Sequence, residues 1–385
     1  MWLDAIGAAA LTLTLPGSAY LAVLTAAALR PARTPANPAG EAQRLVIVVP
    51  AHNESLNLLR TLHSLQRDRA GDAATRIVVV ADNCSDDTAE VAGAAGAEVL
   101  ERHDPLHRGK GHALRFAFGT LHDADAFIVV EADTDVEPGF LRAMRSALAS
   151  GADALQCRYG VRDALSHRRA TLADVALGAW NVLRPRGRAA LGLSAGILGN
   201  GFALSRRALQ VVPYSADSIV EDVEYHHLLV LAGLRVQWVD TACVRGDMPA
   251  DRGAAAQQRA RWEGGRLRLL ARRGPALLGR VLTGGWRLAD PLLDLLLWPL
   301  AWHTSLLLLA LALGTAAVQF AAGAGLAVVA LHVAVALALM PARRAHLRAL
   351  LGTPGYVAWK LCLAPRTWRA TGRHTAWVRS QRRPS

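Results

Sequence analysis

Cysteine is scarce and scattered: Cys84, Cys157, Cys243 and Cys362 are the only four in 385 residues, with no CxxC pair or histidine cluster beside them. That spacing indicates neither a zinc site nor a disulfide framework, and it fits a reducing compartment. Charge is thin as well, at 19%, while 52% of the chain is hydrophobic. Such a composition excludes a disordered chain and points to a membrane component. From Pro341 onward there is no Asp or Glu at all, although Arg343, Arg344, Arg348, Lys360, Arg366, Arg369 and further arginines follow. No internal repeat is present. The length allows about two to three domains.

Two regions have the apolar character of membrane segments. Residues Trp2 to Leu29 form a run interrupted only at Pro16-Gly17. About 20 apolar residues span a bilayer, so this run predicts one helix, kinked at Pro16. A cleaved signal peptide is the alternative. However, Asp4 precedes the run and Arg30 and Arg33 follow it, with no basic start. That charge order predicts an anchor in the inner or plasma membrane, with the following chain in the cytoplasm. The second region, Leu288 to Met340, predicts a hairpin of two spans turning between Gly314 and Gly325. Arg280 and Arg287 before it, and Arg343 onward after it, place both ends in the cytoplasm. The basic tail then meets anionic lipid head groups rather than nucleic acid. Trp359, Trp368 and Trp377 suit an interfacial belt, and Gly355 to Leu363 suits a short interfacial or re-entrant helix.

Between these regions the chain is soluble in character. Pro31, Pro35 and Pro38 mark a stiff linker over 31–43. From Arg44 strand and helix alternate. Strands are predicted at Leu45 to Val49, Arg76 to Val80, Glu98 to Leu100 and Ala126 to Val130. Helices are predicted at Glu54 to Arg67, Asp86 to Gly96 and Gly111 to His122. Alternation of this kind predicts an α/β domain with a mostly parallel sheet. Ligands of such sheets gather at the carboxyl ends of the strands.

Four polar clusters fall at those ends. They are Pro50 to Glu54, Asp82 to Asp87, Arg108 to Gly111, and Glu131-Ala-Asp133-Thr-Asp135. Each alone has a structural explanation, as a helix cap or a turn. Together they mark one sheet edge as a site. Asp133 and Asp135 sit one residue apart, and hard oxygen ligands in such a pair suit Mg²⁺ or Mn²⁺. Lys110 between glycines can bring an ammonium near a phosphate.

The order of these pieces resembles glycosyltransferase family 2, over about Arg44 to Leu270. Beyond the Asp pair, Glu221-Asp222 is similar to the family's Glu-Asp motif. Gln258-x-x-Arg261-Trp262 is similar to the Gln-x-x-Arg-Trp (QxxRW) motif of its membrane-bound synthases. The strings Pro-Ala-His-Asn-Glu, Ala-Asp-Asn-Cys and Arg-Trp-Glu-Gly-Gly-Arg resemble those of EpsO-like exopolysaccharide glycosyltransferases. The resemblance implies a GT-A fold, a Rossmann-like sheet domain in the cytoplasm, with about three transmembrane helices and interfacial amphipathic helices. The implied divisions are a membrane helix at 1–30, the linker, a transferase domain at 44–245, the QxxRW segment at 246–287, a hairpin at 288–340 and a basic tail at 341–385.

The same resemblance implies roles. Asp222 is the catalytic base. Ala51, Glu54, Asp82, Lys110, Asp133, Gln258 and Arg261 bind the donor nucleotide, with Asp82 accepting the uracil N3–H. Asp133 and Asp135 hold the metal. Asn200, Gly201, Glu221 and Trp262 face the acceptor, although Asn200 equally suits a turn cap. His226 and His227 suit either a metal or a helix packed on the sheet. The implied reaction moves a sugar with inversion from a nucleotide sugar, a UDP-sugar, to a hydroxyl of a lipid-linked or glycan acceptor. The loop Ala81-Asp82-Asn83-Cys84 departs from the Asp-Asp-Gly-Ser of many relatives, and the membrane part is small for a processive synthase. A glycolipid-forming transferase of the ceramide-glucosyltransferase kind is the alternative within the class. A membrane-bound nucleotidyltransferase is the alternative outside it, but Pro50 to Glu54 is not the glycine-rich loop such an enzyme carries.

Overall fold

The computed structural model describes residues 1–30, 43–215, 218–249 and 251–371. The linker prolines, Trp377 and the arginines from Arg373 onward lie outside the described residues. The chain forms two compact units. One is helical, from Met1–Pro31, Ala164–Leu193 and Ala256–Thr375; the other holds the sheet, from Ala32–Asp163 and Ser194–Ala255. The run 164–193, inside the stretch 44–245, belongs to the helical unit.

The sheet unit has eight strands: β1 Leu45–Ala51, β2 Thr75–Asp82, β3 Glu98–Arg102, β4 Ala126–Val129, β5 Thr134–Val136, β6 Ala154–Val161, β7 Phe202–Ser205 and β8 Val236–Gly246. Their order is β3-β2-β1-β4-β7-β6-β8-β5. β3, β2, β1 and β4 are mutually parallel, so their carboxyl ends share one edge. β7 runs antiparallel to β4 and β6, and β5 antiparallel to β8. β1, β2 and β4 read as unbroken apolar runs because helices cover both faces of a parallel sheet. Leu45, Ile47 and Val49 of β1 and Ile128 of β4 pack with Leu58, Leu62 and Leu65 of the helix Ser55–Asp68 into one core.

The helical unit is built round Trp2–Ala28 and Ala316–Ala338, each long and apolar enough to cross a membrane. Leu21 and Leu24 of the first meet Leu307, Ala322 and Val329 in a core of their own. A Cβ on Gly7 would stand 2.7 Å from the Gly314 backbone, so two glycines permit this approach. The expected third span departs from a straight helix: Trp286–Leu296 and Leu300–Leu313 meet at 80°. Leu300–Leu313 has 14 residues. At 1.5 Å per residue it reaches about 21 Å, short of a hydrocarbon core of about 30 Å. The break falls at Pro299, which forces the preceding residue out of helical backbone.

Candidate active site

The loops after β1 and β2 are stitched together. Asn53 and Asn83 hold left-handed backbone (φ 54° and 51°), which asparagine tolerates. The Ser85 N–H donates to Asn53 Oδ1 at 2.7 Å, and Asn53 Nδ2 donates to Ser85 Oγ at 3.1 Å. Asp82 ends β2 almost fully buried. Arg102 Nη1 donates to its Oδ1 at 2.6 Å and Asn83 Nδ2 to the same oxygen at 3.0 Å. His52 Nδ1 lies 2.7 Å from the Asp82 carbonyl oxygen. Ala51 closes β1, and Glu54 begins the following helix with its N–H bonded to Thr88 Oγ1 at 2.9 Å. Asn57 Nδ2 donates to Glu54 Oε2 at 3.0 Å.

The turn after β4 is clamped from two sides. Thr61 Oγ1 donates to the Ala132 carbonyl at 2.8 Å and accepts the Thr134 N–H at 3.0 Å. Asn200 is fully buried; its Oδ1 accepts the Glu131 N–H at 3.2 Å and its Nδ2 donates to Thr134 Oγ1 at 2.8 Å. Both ends of the Asn200 amide thus bond to the turn rather than facing an acceptor. Gly201 is buried too, at φ 65°, where a Cβ would strike Cys157 Sγ and Val244.

A charged cluster forms beside this turn. Lys110 Nζ donates to Glu131 Oε1 at 2.9 Å and to the Gly199 carbonyl. A Cβ on Gly199 would stand 3.0 Å from Asp222 Oδ2 and 3.6 Å from Lys110 Nζ, so the glycine lets the carboxylate and the ammonium approach one loop. Asp222 and Glu221 open the helix Glu221–Leu231, whose N-terminal N–H groups favour negative charge. The Val223 N–H donates to Asp222 Oδ1 at 2.9 Å.

Burial pushes the Asp222 carboxyl above its usual range, and the Lys110 ammonium pulls only part of the way back. Burial, then the charge of Asp222, pushes Glu221 up to about 7. Burial pulls Lys110 down, but Glu131, Glu221 and Asp222 outweigh it and leave Lys110 above the usual lysine value.

Asp135 goes elsewhere. Arg60 Nη2 reaches its Oδ2 at 2.9 Å, and Arg162 Nη1 donates to its Oδ1 at 3.2 Å. Arg162 also binds Asp247 through Nε at 2.7 Å. The expected pair of Asp133 and Asp135 is thus divided: Asp135 is held by two guanidiniums, while Glu131 joins the cluster of Lys110. Asp133 stays buried within the turn, with Oδ1 3.4 Å from Thr134 Oγ1. His226 and His227 are buried, and His226 Nε2 lies 2.9 Å from Ser194 Oγ.

Gln258, Arg261 and Trp262 lie on the long helix Arg252–Leu282, among the residues of the helical unit. Gln258 is buried, and the Arg259 guanidinium lies 5.4 Å from the Trp262 ring centroid. Sequence reasoning missed Thr61, Arg102, Glu131, Arg60 and Arg162. Glu131 had a signal, since it precedes Asp133 by the same one-residue spacing. Thr61 lies within a helix and had none.

The fold is similar to that of a solved sugar transferase. The mannosyltransferase PcManGT from Pyrobaculum calidifontis, solved with GDP-Man and Mn²⁺, superposes with a TM-score of 0.57 at 18% identity, covering 95% of this chain and 98% of that one. Glucosyl-3-phosphoglycerate synthase from Mycobacterium tuberculosis, solved with Mn²⁺, UDP and phosphoglyceric acid, gives 0.41 at 24% identity, covering 60% and 81%. No curated protein matches the chain in sequence. The first likeness gives the fold class, a GT-A-like mixed sheet. The profile of glycosyl transferase family group 2 matches residues 126–340, more than half of the chain. The chain belongs to that family.

Proposed function

We propose that this protein transfers a sugar with inversion from a UDP-sugar to a hydroxyl of a lipid-linked or glycan acceptor, in cell-surface or exopolysaccharide synthesis. The observation that carries it is the gathering of Lys110, Glu131 and Asp222 round Gly199 at the end of β4. Asp222 takes the proton from the acceptor hydroxyl as its oxygen attacks the anomeric carbon. The bond from that carbon to the diphosphate breaks, and its electron pair leaves with the diphosphate oxygen. Lys110 pairs with the departing charge. Glu221, raised to about 7, stands beside the base and faces the acceptor.

The residues fit a divalent cation. Glu131, Glu221 and Asp222 set three carboxylates against one ammonium, an excess of negative charge in a partly buried place. Among the described residues no group of three or more His, Cys, Asp or Glu side chains forms a protein-only cage. Mg²⁺ commonly takes only one or two carboxylates together with substrate phosphates. Glu131 and Asp133 are the pair we assign to Mg²⁺ or Mn²⁺, in place of Asp133 and Asp135. When bound there, the ion offsets charge gathering on the diphosphate.

Asp82 and Arg102 favour uracil. Arg102 and Asn83 both occupy Asp82 Oδ1, which leaves Oδ2 for a single N–H. The uracil imide offers one N–H flanked by carbonyls, whereas guanine presents two N–H donors that call for both oxygens. Ala51 and Glu54 flank the nucleoside. Gln258, Arg261 and Trp262 keep the donor and acceptor roles their motif implies. We read the helical unit as an anchor in the inner or plasma membrane, which the apolar helices Trp2–Ala28 and Ala316–Ala338 support; Arg30, directly after the first of them, supports a cytoplasmic catalytic domain.

The test is release of nucleoside diphosphate by detergent-purified protein with Mn²⁺ or Mg²⁺, across a panel of nucleotide sugars. Release is expected from at least one UDP-sugar and to be weaker from the matching GDP-sugar. Release from none, with metal supplied, contradicts the reading. Asn200→Ala separates positioning from acceptor contact. It removes bonds to the Glu131 N–H and the buried Thr134 hydroxyl, so it is expected to lower unfolding stability by about 1–3 kcal/mol together with turnover. An unchanged melting temperature with a raised acceptor KM alone would return Asn200 to the acceptor.

A further inference from the structure

Arg184 is a buried charge with nothing to bond. It opens the helix Arg184–Ala190 of the helical unit, is 1% exposed, and has no hydrogen-bond partner on any of its three guanidinium nitrogens. Its guanidinium lies over the Trp180 ring, 4.2 Å from the centroid, and Arg266 lies over the same ring at 4.5 Å. Each neighbouring carboxylate already holds another guanidinium. Asp294 accepts Arg188 on Oδ1 at 2.5 Å and Arg266 on Oδ2 at 3.1 Å. Asp290 Oδ1 accepts the Tyr20 hydroxyl at 2.7 Å and Arg188 Nε at 3.1 Å. Three guanidiniums therefore share two carboxylates, and the surplus positive charge is at Arg184. Asp290 Oδ2 and His303 Nδ1 are also buried without a partner.

A tryptophan face attracts a cation but accepts no N–H hydrogen bond in the plane of the guanidinium. Folded proteins rarely bury a guanidinium whose donors are all unmet, because the loss of water is not made good. An oxyanion would meet them. The planar fork of arginine matches two oxygens of a phosphate, and arginine is the residue that binds this group bidentately.

We propose that Arg184 binds a phosphate oxyanion within the helical unit, with Arg188 and Arg266 adding to the attraction. This site stands on the helical unit alone. Assigning the phosphate to the head group of a lipid-linked acceptor rests, in addition, on the transferase reading above.

The experiment follows thermal unfolding of the full-length protein in detergent and phosphate-free buffer, with no nucleotide sugar, so that it reads the site whether or not the transferase reading holds. The probes are inorganic phosphate, a polyprenyl phosphate and the uncharged polyprenol. The melting temperature is expected to rise with polyprenyl phosphate and not with polyprenol. A rise with inorganic phosphate as well shows that the bare oxyanion suffices; a rise with polyprenyl phosphate alone assigns the site to a lipid head group. Arg184→Met is expected to weaken phosphate binding at least tenfold. Without ligand it is expected to melt no lower than the unsubstituted protein, since it removes an unmatched buried charge. Arg184→Lys keeps the charge without the fork and is expected to fall between the two. No rise with either phosphate, or an equal rise in Arg184→Met, overturns the proposal. So does an Arg184→Met protein that melts well below the original or fails to fold, because Arg184 would then serve only to brace Trp180.

Discussion

Asp222→Asn is expected to lower turnover by about 10²–10⁴-fold, the usual contribution of a positioned general base. Asparagine keeps the size of the side chain and can still accept the Val223 N–H, but it cannot take a proton. Unfolding stability is expected to hold, because the change removes one negative charge from a cluster in which carboxylates already outnumber the ammonium. The pH dependence gives the same residue a second signature. A general base works only when ionised, and burial raises the pKa of Asp222. The acid limb of kcat/KM is therefore expected above the ordinary aspartate range, with activity rising as pH climbs through it. Lys110 lowers that pKa, so Lys110→Met is expected to move the limb to higher pH as well as weaken donor binding. A limb that stays in place in Lys110→Met, or full activity in Asp222→Asn, removes Asp222 from the role of base.

Glu131→Gln and Asp133→Asn are expected to lower kcat/KM by about 10²–10³-fold, since a bound cation supplies several kcal/mol and each 1.4 kcal/mol is tenfold. Both variants are also expected to need more Mn²⁺ for half-maximal activation. Asp135→Asn is the contrast. It removes the carboxylate partner of Arg60 and one of the two carboxylate partners of the buried Arg162, so its main effect is expected on unfolding, with activation by Mn²⁺ little changed. The reverse pattern, with Asp135→Asn abolishing metal activation and Glu131→Gln leaving it intact, restores the Asp133 and Asp135 pair. Activation profiles measured side by side decide between the two.

This contrast shows where sequence and structure part. The strands of the parallel half were legible because fully buried strands are continuous apolar runs: Leu45 to Val49 and Ala126 to Val130 match β1 and β4 to within two residues. The polar edge was legible because parallel strands that alternate with helices must end together. What local pattern does not carry is the partner of each carboxylate. Glu131 and Asp135 are equally spaced about Asp133, and only the folded chain assigns Lys110 to one and Arg60 with Arg162 to the other. The short β5 is three residues long and paired with β8, far along the chain, so no periodicity announces it. Asn200 had two readings in sequence, and its buried amide favours the one within the turn. The residues 164–193 carry no signal that they leave the sheet unit, because the salt bridges of Arg188 with Asp290 and Asp294 span about a hundred positions of sequence. The bend at Pro299 falls inside an apolar run that reads as one span in sequence.

The most direct test of a single displacement assisted by Asp222 is the anomeric configuration of the first product, read by proton NMR from the coupling of its anomeric hydrogen. The reaction is run with an α-linked UDP-sugar in the presence of Mn²⁺ or Mg²⁺. A β-linked product is expected, formed by the unsubstituted protein and not by Asp222→Asn. An α-linked product would require a second displacement or a different face of attack, and would contradict the account.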